Sequence, residues 1–231
     1  MFKKEIPPST RSKVKSSVQR TLRQKLLDTY PGFEPYIEEV MPKKAQLDSV
    51  KLYLSPGPSA SFSLGWMDGR SKERKKEWMK RRKEGRKEGR KEYLANKEMP
   101  SRPDKCTLYT IDSQPLFFQP QDGPPIPHLK LLHAFPDALP TIQIDRGAIR
   151  FVLSGATLMA PGLTSAGGRL PDAEHALEQG TVVAVKAEGK EEICLVGALK
   201  VGTEEIKSKG KGVVMDEGHY LGDGLWRMHL D

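Results

Sequence analysis

Residues 145 to 162 read Asp-Arg-Gly-Ala-Ile-Arg-Phe-Val-Leu-Ser-Gly-Ala-Thr-Leu-Met-Ala-Pro-Gly, an apolar run between two Gly-Ala pairs that closes with Pro161-Gly162. Glycine lets another backbone approach closely and lets the chain adopt a positive φ. Gly147, Gly155 and Gly162 therefore predict turns between short β elements.

Short apolar runs separated by glycine continue from this string to the end of the sequence. Four of them predict strands, at Ile149 to Leu153, Thr181 to Ala187, Ile193 to Leu199 and Leu225 to Leu230. Short strands with turns between them predict a small barrel, closed by its last strand with Trp226 in the barrel interior. A short helix over Thr203 to Lys209 is expected before another strand at Val213-Val214.

The first part of the chain has a mixed pattern of helices and strands. Val14, Val18, Leu22 and Leu26 recur at i, i+4 spacing, which predicts an amphipathic helix over Arg11 to Thr29. A second helix is expected from about Pro35 to Met41, and a third over Leu129 to Phe135. Strand composition marks three segments: Val50 to Leu54, Thr107 to Ile111 and Leu116 to Gln119. We therefore expect an α+β fold with two domains, residues 1–138 and 139–231.

Residues 55–105 interrupt the first domain with a basic, low-complexity segment. Gly85-Arg86-Lys87-Glu88 is repeated at once as Gly89-Arg90-Lys91-Glu92, and few apolar side chains are present to offset the entropy of ordering them. We expect a disordered or frayed-helical insertion in a hairpin, which loop-closure entropy tolerates. Four interpretations of this segment remain open. It binds RNA nonspecifically, it mimics a nuclear-localisation signal, it has no function, or it is a translated intron.

The positive charge of the chain is unevenly distributed. The net charge is +8. Residues 67–105 carry all of this excess, with 16 basic and 8 acidic groups, whereas residues 106–231 carry 11 basic and 16 acidic groups. An anion bound by the C-terminal domain would therefore need a local concentration of cations, since counterion release supplies much of the affinity for nucleic acid.

Motifs for catalysis, cofactors or membranes are not found. Cys106 and Cys194 are the two cysteines, and the five histidines lack the spacing of metal ligands. No nucleophile elbow or complete phosphate-binding loop is present, and Asp145 is expected to be a turn or capping residue. Residues 1–7 lack the apolar stretch of a signal peptide, and no apolar run is long enough for a transmembrane helix. We expect a cytoplasmic protein that is not an enzyme, has no cofactor, metal or small-molecule substrate, and acts by binding.

The 145–162 string resembles the opening of a PUA domain, the RNA-binding barrel of pseudouridine synthases and archaeosine transglycosylases. With Met41-Pro42-Lys43-Lys44 before it and Asp223-Gly224-Leu225-Trp226 after it, the chain resembles the malignant T-cell-amplified-sequence family of translation factors. This resemblance implies an N-terminal mixed α/β pre-PUA module, a C-terminal PUA pseudo-barrel and the low-complexity insertion. It also implies three partners: the small ribosomal subunit, tRNA and a density-regulated-protein-like protein. The implied roles are initiation, reinitiation and post-termination recycling.

Candidate contacts follow from the resemblance and from the nearby cations. Small residues in the loop from Gly155-Ala156 to Pro161-Gly162 would let an RNA backbone lie close; the alternative is a turn that only the barrel needs. Leu158 and Met159 would pack under a base or fill the core. The candidate cations near this surface are Arg146, Arg150, Arg169, Lys186 and Lys200, of which Arg150, Arg169 and Lys200 are the selected RNA contacts. Lys43 and Lys44 are candidates for ribosomal RNA, or two ordinary lysines of an exposed loop.

Two other functions remain open at this point. The PUA domain would present RNA to a catalytic partner in an RNA-modification complex, or the acidic barrel would be a protein-interaction scaffold that binds no RNA.

Overall fold

The computed structural model of the chain describes residues 2, 6, 10–54, 104–121 and 123–230. The predicted insertion at 55–105 falls almost entirely outside the described residues, so its predicted disorder stays a prediction. The helices are α1 (Ser16–Thr29), α2 (Ile37–Val40), α3 (Leu129–Ala134), α4 (Ile149–Leu153), α5 (Pro161–Thr164) and α6 (Thr203–Lys209), with 3-10 helices at Pro31–Tyr36 and Ala173–His175. The strands are β1 (Arg11–Lys13), β2 (Asp48–Leu54), β3 (Asp104–Ile111), β4 (Gln114–Pro120), β5 (Ile126–Pro127), β6 (Thr141–Ile144), β7 (Leu158–Met159), β8 (Val182–Ala187), β9 (Ile193–Ala198), β10 (Val213–Met215) and β11 (His219–Tyr220).

Five antiparallel strands form the N-terminal sheet in the order β1-β2-β3-β4-β5. β2 and β3 pair along their whole length, and Leu54 lies opposite Asp104. The strands on either side of the predicted insertion are therefore direct neighbours, which confirms the predicted hairpin pairing. Leu52 and Leu108 are buried, because alternate residues of each strand face the core.

α1 covers the N-terminal sheet through part of its apolar stripe. Leu22 and Leu26 are buried, whereas Val18 is 49% exposed. The helix begins at Ser16 rather than at the predicted Arg11, because Arg11–Lys13 pairs with β2 as an edge strand. The second and third predicted helices are confirmed, the second as a 3-10 turn followed by α2.

The C-terminal sheet has the order β11-β9-β8-β6, and β6 pairs with β8 in parallel. Both faces of β8 are buried. Val182 and Ala184 pack in one apolar cluster with the N-terminal helices and sheet, while Val183 and Val185 pack in a second cluster inside the C-terminal half. Burial on both faces explains why this strand is continuously apolar. The predicted boundary at 138–139 stays a prediction, and the first cluster is continuous across it.

Two of the predicted strands are wrong. Ile149 to Leu153 is the helix α4, since a short apolar run does not distinguish a strand from a helix. Leu225 to Leu230 forms turns and coil. Trp226 packs outside the C-terminal sheet, parallel to the His128 ring at 6.4 Å, so the prediction that it fills the barrel is also wrong.

Aromatic side chains join the two halves. The ring of Phe118 on β4 lies 5.2 Å from Phe2 and 5.6 Å from His219 on β11, measured between centroids and edge to face in both cases. The His128 and His219 rings lie 4.4 Å apart, and the side chain of Asp223 binds Nδ1 of His219. All of these rings are buried, so the junction between the two halves is part of the protein core.

Candidate nucleic-acid interface

A groove of about 650 Å³ opens on the C-terminal half between α4, β7 and α5. All of its lining residues belong to the segment from 145 to 165. Small residues line much of it, and Val152 and Leu158, both 3% exposed, form its apolar floor. Phe151 and Met159, 52% and 43% exposed, stand at its rim. The groove is open to solvent.

Asp145 holds the two ends of this segment together. Its carboxylate accepts hydrogen bonds from the backbone N–H of Ala148 at 2.7 Å and from Oγ of Ser165 at 2.5 Å. Its own N–H donates to the carbonyl of Gly162 at 2.8 Å. The Ser165 hydrogen bond lowers the pKa of Asp145, because a hydrogen bond to the carboxylate favours the charged form. This geometry accords with the expected capping role.

Glycines shape the groove at two points. Gly155 has a φ of +73° directly after α4, the left-handed conformation that commonly ends a helix. Gly162 packs closely against Ala148, the residue directly before α4. A Cβ at position 162 would lie 3.0 Å from Cβ of Ala148. Pro161, at the first position of α5, has the φ that a helix start requires. The backbone conformation therefore explains the glycines and the proline at these positions, in addition to any role in binding.

The charge in the groove is sparse. Arg150 is the cation that lines it, and its guanidinium carbon lies 4.7 Å from the centroid of the Phe151 ring. Asp145 is its one lining carboxylate among the described residues, and both of its oxygens already accept hydrogen bonds. The groove thus offers one cation, a flat aromatic face and an apolar floor to a ligand.

The structure brings together most of the residues selected from the sequence. Six of them line the groove: Arg150, Ala156, Leu158, Met159, Pro161 and Gly162. Leu158 is in the core and Met159 is at the surface, so the core alternative holds for Leu158, while packing of either residue under a base stays a prediction. Gly155 ends α4 without lining the groove.

The other selected cations lie elsewhere. The backbone of Arg169 pairs with Gln143 in an isolated bridge, and Lys200 forms an ion pair with Asp216. Neither lines the groove. Lys43 and Lys44 lie in an exposed turn after α2, where the ammonium of Lys43 is 3.3 Å from the Glu38 carboxylate. Their contacts with RNA stay predictions.

Phe151 is the groove residue that sequence reasoning missed. The strand assigned to residues 149–153 gave it no particular role. A helix over the same residues places Phe151 beside Arg150 at the groove and leaves Leu153, 42% exposed, outside it. No periodicity in five residues signals that difference.

A metal site and a membrane-spanning helix are both absent from the residues that the structure describes. Within residues 10–54, 104–121 and 123–230, no cluster of three or more His, Cys, Asp or Glu side chains is arranged to hold a metal ion. None of the described helices is long and apolar enough to cross a bilayer.

Both halves of the chain match known domain families. Residues 2–68 and 91–136 match the Pre-PUA-like domain, and residues 140–221 match the PUA domain. The Pre-PUA match is interrupted within the basic segment. Two solved archaeal structures share the fold: a hypothetical protein of Pyrococcus horikoshii OT3, at 15% identity and a TM-score of 0.57 over 94% of this chain and 98% of that one, and a PUA domain from Aeropyrum pernix K1 in a tartrate complex, at 20% identity and a TM-score of 0.56 over 96% and 90%.

Full-length relatives are more similar in sequence. The chain is 41% identical to translation machinery-associated protein 20 of Saccharomyces cerevisiae, over all of both chains. It is 35% identical to malignant T-cell-amplified sequence 2 of Homo sapiens, over 93% of this chain and 89% of that protein. The resemblance of the sequence to this family is thereby confirmed: the chain belongs to the family of translation machinery-associated protein 20 and the malignant T-cell-amplified sequence proteins.

Proposed function

We propose that this chain is a noncatalytic translation factor that binds the small ribosomal subunit and tRNA. It acts in the cytoplasm, together with a density-regulated-protein-like partner, in initiation, reinitiation and post-termination recycling. The names of its relatives support a role with the translation machinery. The observation that carries the binding role is the open groove lined by Arg150, Phe151 and Met159.

The groove would receive the unpaired acceptor end of tRNA. A terminal base stacks against the exposed face of Phe151 and lies over Leu158, while Arg150 contacts a phosphate. Single-stranded ends are the parts of an RNA whose bases are free to stack on aromatic side chains. Duplex RNA offers no such base. The chemistry of the groove therefore favours an RNA end over a helical stem.

The charge distribution constrains how the groove binds. One arginine lines it, and the C-terminal half is acidic overall. Each neutralised phosphate of a single strand contributes about −0.7 to the slope of log affinity against log salt. We expect a slope near this value from the groove, so stacking and apolar contact supply most of its affinity.

The N-terminal half would dock on ribosomal RNA through Lys43 and Lys44. Both lysines lie on the exposed turn after α2, and Lys43 has 78% of its side chain exposed. A factor with different affinities for two tRNA or subunit states shifts their populations without making or breaking a bond. Binding alone is then sufficient for the proposed role.

Sedimentation with purified small ribosomal subunits tests this proposal. The intact chain is expected to cosediment, and a variant with Lys43→Ala and Lys44→Ala to bind several-fold more weakly. The matched control replaces two lysines of α6, Lys207 and Lys209, whose ammonium groups pair with Glu204 and Glu205; it is expected to bind as the intact chain does. Failure of the intact chain to cosediment would contradict the proposal.

Copurification tests the partner. A tagged full-length chain is expected to recover small-subunit proteins together with a protein that has an initiation-factor-like domain. Recovery of an RNA-modification complex in their place would overturn the proposed role and support the accessory-subunit alternative.

A further inference from the structure

A second surface with binding chemistry lies on the N-terminal sheet. The outward side chains of β2, β3 and β4 form it, and we call it the strand face: Lys51, Tyr53, Lys105, Thr107, Tyr109 and Gln119. Tyr53 lies directly opposite Lys105, and Thr107 lies opposite Lys51 and Gln119. The residues that alternate with these, Leu52, Cys106 and Leu108, are buried in the core. The pleat of the sheet thus places one polar, aromatic set of side chains on a single surface.

The strand face contains two shallow depressions that share Gln119. The first, of about 310 Å³, is lined by Tyr53, Lys105 and Gln119 among others. The second, of about 300 Å³, continues to α1, where Val18 and Lys25 lie across from Tyr109. Tyr109 donates a hydrogen bond to Oε1 of Gln119 at 3.1 Å. The two depressions therefore adjoin at Gln119, and together we call them the path.

The charge of this path is of one sign. Lys25, Lys51 and Lys105 line it, and no carboxylate does so among the described residues. Elsewhere on the described surface, lysines of α6 and of the turn after α2 lie beside glutamates. Among the described residues, a ligand that follows the path meets lysines and no carboxylate, so the charge of the path favours an anionic ligand.

Tyr53 indicates which anionic ligand fits. The residue is 50% exposed, and Lys105 lies opposite it on the neighbouring strand. An exposed aromatic ring on an open sheet can stack an unpaired base, and lysines near the ring can hold the adjoining phosphates. The amide of Gln119 also lines this surface. An acidic peptide would use the lysines but would have no use for the flat ring.

We propose that the strand face binds single-stranded RNA, with a base stacked on Tyr53 and phosphates held by Lys105 and Lys25. This site is separate from the groove and does not depend on the function proposed for it. It would give the protein a second RNA contact on its N-terminal half, on a sheet surface rather than on the turn that carries Lys43 and Lys44.

Fluorescence anisotropy of the full chain with a fluorescein-labelled oligouridylate tests this site. Tyr53→Ala is expected to weaken binding about tenfold, since stacking on an aromatic ring contributes on that order, and Tyr53→Phe to restore it. Leu153→Ala is the control, because Leu153 is an exposed apolar residue that lines neither the groove nor the two depressions, and it is expected to bind this probe as the intact chain does. Equal binding by Tyr53→Ala and the intact chain would overturn the proposal.

Salt dependence supplies the second readout. Lys105→Ala is expected to reduce the slope of log affinity against log salt by about 0.7, the contribution of one phosphate contact to a single strand. Lys13→Ala, an exposed lysine of β1 that lines neither depression, is the matched control and should leave the slope unchanged. Displacement of the oligouridylate by polyglutamate of equal charge, at equal concentration, would show an acidic-peptide site and contradict the proposal.

Discussion

The guanidinium carbon of Arg150 lies 4.7 Å from the centroid of the Phe151 ring, at the mouth of the groove. The two residues are neighbours in α4 and bring a positive charge and a flat apolar surface to the same place. A cation above an aromatic ring is attracted by the ring quadrupole. The pair therefore places a cation and a flat apolar surface side by side, in position for the proposed RNA end.

Removal of the Phe151 ring should weaken tRNA binding without unfolding the protein. Phe151→Ala is expected to lower the affinity about tenfold, because a base loses its stacking surface. Leu153→Ala is the matched control: Leu153 is also exposed on α4 but does not line the groove. Fluorescence anisotropy with labelled tRNA measures both variants. Equal loss of affinity in both would show that α4 is disturbed as a whole.

Asp145 should contribute to stability as a capping residue. Asp145→Ala removes the acceptor for the Ala148 N–H and for Ser165 Oγ, and loss of such a cap costs about 1 kcal/mol in the free energy of unfolding. Asp172→Ala is the control, because Asp172 precedes a 3-10 helix without a side-chain hydrogen bond to it. Urea unfolding compares the two. Unchanged stability of Asp145→Ala would refute the capping role.

Acidification should destabilise the junction through His128. Burial is the main cause that lowers the pKa of His128 well below 6.5, and the neighbouring His219, Lys130 and His133 lower it further. As the pH falls through 6.5 the unfolded chain takes up a proton at this residue, whereas the native protein does not. The free energy of unfolding therefore falls with pH below that value, by up to about 1.4 kcal/mol per pH unit for one histidine.

Substitutions at two histidines distinguish the contribution of His128 to this pH dependence from that of the rest of the protein. His128→Asn keeps a side-chain acceptor for the Lys130 N–H and should reduce the pH dependence between pH 6.5 and the onset of acid unfolding. His175→Asn, at an exposed position, should leave it unchanged. Urea unfolding at a series of pH values gives the comparison, and an identical slope for His128→Asn and the intact chain would rule out the assignment.

The aromatic junction should make the two halves unfold together. Calorimetry is expected to show one cooperative transition for the residues of the shared core. Phe118→Ala should lower the free energy of unfolding by about 3 to 5 kcal/mol, the usual cost of removing a buried phenylalanine. Phe151→Ala, which removes an exposed ring, should leave it nearly unchanged. Two separate transitions, only one of them shifted by Phe118→Ala, would contradict a shared core.

Strands and helices with a clear pattern were predictable from sequence. The hydrophobic spacing of Leu22 and Leu26 predicts α1, and the strand compositions predict β2, β3, β4, β8 and β9. Helix α6 was predicted with the observed bounds, Thr203–Lys209, and its end follows from Gly210, whose φ is +60°. In each case a local signal of several residues agrees with the final fold.

Features set by tertiary contacts were not predictable. The run Ile149–Leu153 has strand composition and is nevertheless the helix α4, whose Val152 packs in the core of the C-terminal half. The position of Trp226 depends on His128, which lies far away in sequence. The same limit applies to the groove: the small residues were evident from sequence, but the exposure of Phe151 and the ion pair of Lys200 follow from packing.

The most direct test of the central claim compares the binding of the full chain to intact tRNA and to tRNA trimmed of its unpaired acceptor nucleotides. If the groove holds the acceptor end, the trimmed tRNA should bind about tenfold more weakly, the loss expected when stacking on one aromatic ring is removed, and Phe151→Ala should bind both forms equally. Equal affinity of the unmodified chain for intact and trimmed tRNA would contradict the account.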